Sequence, residues 1–147
     1  MKGVLLGLGC LPFVCGGLMD WYMMQNEEAR LPFFIIGVLF LVLWSAIAFL
    51  MLPHMENTKK TVRWLNAVGF VVLLLLLVQD LVVGAYWTNF LGRWTQYYYL
   101  PMLYIGFQLL NGSLIGSYVI SYALMVVVSV MGCNWRKIIT RPVKKPV

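Results

Sequence analysis

Apolar residues run along this chain in four long blocks, parted by short polar stretches, with no alternation of period two. The blocks cover residues 3–23, 31–52, 64–87 and 101–132. Runs of about 20 apolar residues match a hydrocarbon core of about 30 Å at 1.5 Å of rise per residue. Lipid offers no hydrogen bonds, so each segment must pair its own backbone, as a helix does. A barrel would need segments of about 10 residues with alternating polarity, and no such segments occur. The pattern predicts an all-α integral membrane protein with four transmembrane helices and short loops. Residues 1–133 form the transmembrane domain and 134–147 a basic cytoplasmic tail.

The blocks differ in character. The first holds Gly3, Gly7, Gly9, Gly16 and Gly17 around Pro12, which predicts a kinked, closely packed helix. No small-residue cleavage site follows it, so it reads as a retained span, not a signal peptide. The second opens with Pro32 in its first turn, stops at Pro53 and is uniformly apolar, which suits broad lipid contact. The third carries Gln79 and Asp80 well inside its apolar run. The fourth has 32 residues, about 48 Å as one helix, well beyond the hydrocarbon thickness. It either tilts or projects as one helix, or breaks at Asn111-Gly112-Ser113; single glycines are common in membrane helices, and one long helix is expected. Ahead of it, Trp94, Tyr97, Tyr98 and Tyr99 are placed at headgroup depth, as an aromatic belt.

Composition agrees with the pattern. The chain has 147 residues, 62% hydrophobic and 11% charged, with a mean hydropathy of +0.85. Soluble domains carry about 25% charged residues. The net charge of +6 does not signal nucleic-acid binding, because the basic residues flank apolar spans instead of forming a patch. They sort by side. Lys2, Lys59, Lys60, Arg63, Arg136, Lys137, Arg141, Lys144 and Lys145 fall on one side of a four-span arrangement. Arg30, Arg93, Asp20, Glu27 and Glu28 fall on the other. The positive-inside rule then gives both termini to the cytoplasm (N-in/C-in) in a plasma, or inner, membrane.

Asp80 is the most informative residue. A carboxylate at mid-span costs about 2.5–3.5 kcal/mol on insertion scales, so it needs a partner, a proton or an ion. On a helical projection it shares a face with Asn66, Gly69, Leu73, Gly84 and Trp87, while Val71, Leu75, Val78 and Val82 lie opposite. Asp80 should therefore face protein. A polar stripe on the fourth block, with Tyr104, Gln108, Asn111, Tyr118, Tyr122 and Ser129, is the candidate neighbour, as an ion or proton site or an inter-helix contact with Gln79 and Asp80. Ser113, Ser117 and Ser121 make a small-xxx-small stripe for close helix packing, as do Gly69 and Gly84.

Catalytic chemistry finds little support. Glu27 and Glu28 are adjacent and point apart. His54 is the sole histidine and cannot complete a metal set with Cys10, Cys15 and Cys133. No phosphate loop, GxSxG or HExxH is present, and no cofactor is expected. Two functions fit. One is a non-enzymatic subunit or accessory and assembly factor of a larger membrane complex, bound to the bilayer and to a membrane-protein partner or a second copy. The alternative is a small oligomeric carrier or channel, coupled to protons or cations through Asp80.

Overall fold

The computed structural model describes residues 1–26, 31–55, 57–83, 90–110 and 113–140. These form seven helices: α1 (Lys2–Gly9), α2 (Leu11–Gln25), α3 (Phe33–Met55), α4 (Thr58–Leu65), α5 (Ala67–Val83), α6 (Phe90–Leu109) and α7 (Leu114–Ile139). Three stretches are long and apolar enough to cross a membrane: α1 with α2 as Lys2–Gln25, then α3, then α7. The pair α4 and α5, bent by 46°, makes a fourth if taken as one span.

Local chemistry explains the breaks. Between α1 and α2 the amide of Cys10 bonds to the Gly7 carbonyl at 3.1 Å, a three-residue turn, and Pro12 sits at the start of α2. Asn57 caps α4 by accepting from the Lys59 amide at 2.8 Å. The bend between α4 and α5 falls on Asn66, whose amide turns inward instead of leaving the helix face for solvent.

Two expectations need correction. Residues 101–132 are not one helix. They divide between α6 and α7, and Ser113 caps the new start by accepting from the Gly116 amide. The two pieces fold back on each other: Ser121 donates to the Met102 carbonyl at 3.4 Å, and Gly106 sits against the Ser117 carbonyl. Second, α7 runs on to Ile139, so the first residues of the predicted tail are helical; 141–147 lie outside the described residues.

α6 is the element around which the bundle closes. It packs on α2, α3, α5 and α7, and buries Thr95, Tyr98, Tyr99, Pro101 and Met102. Tyr98 and Tyr99 are 0% exposed, so they are core residues, not headgroup anchors; Trp94 remains exposed. The α2–α6 contact is backbone-close, since a Cβ on Gly16 would overlap the Tyr97 carbonyl.

α3 and α7 run side by side in the same direction. Gly132 rests on the Ser45 carbonyl, and one turn on Arg136 donates to the Phe49 carbonyl at 3.0 Å. The α3 face that packs is Gly37, Phe40, Trp44, Ala48 and Leu52, at spacings of three and four. Its other side, with Leu39 and Val42, is exposed. α5 runs opposite to α7, bringing Phe70 beside Tyr122 and Asp80 beside Ile115. The basic segments meet at one end of the bundle, where Lys2 lies 5.5 Å over the Trp64 ring and Arg136 lies 5.1 Å over Phe49.

Candidate functional site

Of the residues placed on the Asp80 face of α5, Gly84 and Trp87 lie outside the described residues. Val71, Leu75, Val78 and Val82 are exposed, Val82 to 78%, whereas Asn66, Leu73 and Gly69 are buried. Asp80 is half-buried above a small cavity lined by Leu73, Leu76, Leu77, Ile115 and Tyr118. That cavity measures about 10 Å³, at most the space of a single water. Among the described residues, Asp80 makes no hydrogen bond or ion pair, and the Gln79 side-chain oxygen is buried without a partner.

The predicted stripe beside Asp80 does not assemble. Tyr104 and Gln108 belong to α6, while Tyr118, Tyr122 and Ser129 belong to α7, so the break between these helices separates them. Tyr104 lies 6.4 Å from Phe33, ring to ring. Gln108 is exposed. Tyr122 turns to Phe70. Only Tyr118, buried beside Tyr99, shares the Asp80 cavity. Asn111 and Gly84 lie outside the described residues. The packing stripe fares better: Ser117 and Ser121 are fully buried against α6, and Ser113 serves as a cap.

Most buried polar side chains are paired elsewhere, the Thr58 hydroxyl being a further one without a partner among the described residues. The Trp44 indole N–H donates to the Asn66 side-chain oxygen at 3.1 Å. The Asn66 amide nitrogen donates to Ser129 Oγ at 3.1 Å and to the Val62 carbonyl at 2.9 Å. Ser129 in turn donates to the Met125 carbonyl at 2.7 Å. One asparagine thus links α3, α4 and α7 with both donors and its acceptor in use. Tyr98 donates to the Gly9 carbonyl at 3.1 Å and Tyr99 to the Gly69 carbonyl at 2.6 Å, tying α6 to α1 and α5. A Cβ on Gly69 would meet the end of the Tyr98 ring.

A second polar group has no signature in the sequence. Asp20 of α2 accepts from Arg93 at 3.2 Å and from Tyr97 at 2.8 Å, both on α6. Asp20 and Arg93 fall on the same side of the four-span arrangement; no local pattern connects residues so far apart in the chain.

The cysteines stay apart. Cys10 is exposed, Cys15 is partly buried, and Cys133 is buried with its thiol 3.6 Å from the Ala48 carbonyl. Among the described residues, no three His, Cys, Asp or Glu side chains cluster as a metal site.

No protein-family model, curated protein or solved structure matches this chain.

Proposed function

We propose that this chain is a non-enzymatic subunit or assembly factor of a larger membrane complex, docked through the part of α5 that carries Asp80. It spans the plasma (inner) membrane four times, through α1–α2, α3, α4–α5 and α7, with both termini cytoplasmic. The gathering of Lys2, α4 and Arg136 at one end of the bundle supports that topology.

The carrying observation is a contrast. Asn66, Trp44, Ser129, Tyr98 and Tyr99 are paired inside the bundle, whereas Asp80 and the Gln79 oxygen have no partner among the described residues. An intramembrane carboxylate without an internal partner is expensive. A donor on a neighbouring helix of another protein would satisfy it. The oligomeric carrier alternative calls for a wetted route to Asp80, which a single copy, with a cavity of about 10 Å³ there, would have to build with other copies.

Purification in mild detergent tests this reading. The expected result is a different membrane protein present in stoichiometric amount, lost on Asp80→Leu. A clean homo-oligomer, or proton or cation flux through proteoliposomes of the chain alone, overturns it.

A further inference from the structure

Two clefts on the surface of α6 share a wall and together form one amphipathic groove. The first, about 440 Å³, is bordered by Asp20, Met24, Arg93 and Gln96 and ends on Leu100 and Leu103. The second, about 320 Å³, begins on the same two leucines and continues past Phe33 and Phe107 to Leu114. One end is charged and the other is apolar apart from Tyr104. From residue 93 to residue 107 the groove follows about 21 Å of helix. Its apolar end lies at the start of α3, beside Phe33, whereas Arg136 sits on Phe49 near the other end of that helix.

The charged end has an unusual balance. Asp20 Oδ2 accepts from both Arg93 and Tyr97, which leaves Oδ1 without a hydrogen bond among the described residues. Among the described residues every Arg93 hydrogen bond uses Nη2, which leaves Nη1 and Nε without a partner there, and the side chain is 51% exposed. A simple anion would find a cation already neutralised. A headgroup with both signs finds an open donor and an open acceptor side by side. We propose that this groove binds a zwitterionic phospholipid. Its phosphate takes the free Arg93 N–H groups and the Gln96 amide, its ammonium takes Asp20, and an acyl chain lies along Leu100, Leu103 and Phe107. The site uses α2, α3, α6 and α7, and stands independently of the Gln79–Asp80 reading.

The test uses the full chain in detergent micelles doped with phosphatidylethanolamine or with phosphatidylglycerol of the same acyl chains. Retained lipid is read by native mass spectrometry, and thermal stability is followed against lipid mole fraction. Saturable binding with about tenfold preference for phosphatidylethanolamine is expected from charge complementarity. Asp20→Asn keeps an acceptor for Arg93 but shifts the preference toward phosphatidylglycerol. Leu103→Trp fills the apolar wall and weakens retention of both lipids without touching the ion pair, which keeps the test valid if the Asp20 variant unfolds. Equal retention of the two headgroups, preference for phosphatidylglycerol in the unaltered chain, or unchanged retention in Leu103→Trp overturns the proposal.

Discussion

The Trp44 indole meets the Asn66 side-chain oxygen at 3.1 Å, at the point where α4 bends into α5. Trp44 is 0% exposed and Asn66 is 2% exposed, so neither group has water to fall back on. Asn66→Ala strands the indole N–H and removes the donor to Ser129. Leaving buried polar groups unpaired costs about 1–3 kcal/mol. The variant should melt earlier in detergent than the unaltered chain. Trp44→Phe in the same background should cost less than it does alone, because the group it removes is already orphaned. Thermal unfolding of the two single variants and the double variant measures that coupling, and strict additivity would count against the network.

Close backbone approach sets a second expectation. A Cβ on Gly16 would collide with the Tyr97 carbonyl, and one on Gly132 with the Ser45 carbonyl, whereas one on Gly17 meets nothing within 4 Å. Backbone atoms cannot swing aside like the end of a side chain. Gly16→Ala and Gly132→Ala should therefore each destabilise the bundle by about 1–3 kcal/mol, the usual range for overpacking. Gly17→Ala should be neutral or slightly stabilising. Comparing midpoint temperatures by size-exclusion chromatography after heating decides it; equal loss in all three would show that the effect is general to this glycine-rich stretch.

The tyrosines on α6 give a third. Tyr99 donates to the Gly69 carbonyl at 2.6 Å from a fully buried position. Tyr99→Phe removes one hydrogen bond while keeping the ring, and should cost about 0.5–1.5 kcal/mol. Tyr99→Ala adds a cavity and should cost about 3–5 kcal/mol, as large aromatic deletions do. A headgroup anchor would tolerate either change. The ratio of the two losses separates a core tyrosine from an interfacial one.

These residues also show what a reader of the sequence can and cannot recover. The lipid face of α5 was legible, because Val71, Leu75, Val78 and Val82 repeat at helical spacing and only geometry is needed to group them. The interior of α6 was not. Tyr97, Tyr98 and Tyr99 suit headgroup depth as well as they suit a core, and what draws two of them inward is a carbonyl of Gly9 and a carbonyl of Gly69, on other helices. The stripe from Tyr104 to Ser129 failed for a local reason. Ser113 can either continue a helix or cap a new one, and a helical projection carried across that point groups residues that belong to different helices. Asn66 was placed on the inward face, but its partners lie 22 and 63 residues away, beyond any pattern of spacing.

Asp80 offers a prediction that separates internal glue from an external contact. If the carboxylate held helices of its own chain together, replacing it would weaken the isolated bundle. No such bond exists among the described residues, and the neighbours are Leu73, Leu76, Leu77 and Ile115 beside the Tyr118 ring. Asp80→Leu in the purified chain should thus leave the melting temperature unchanged or raise it, since it removes a carboxylate that apolar surroundings disfavour and that makes no bond among the described residues. The same change in the native membrane should lower the yield of the assembled complex, because the partner's donor is then left in lipid. Both halves are needed. A fall in stability of the isolated chain would show that Asp80 works within its own bundle, and the docking face would have to be sought elsewhere.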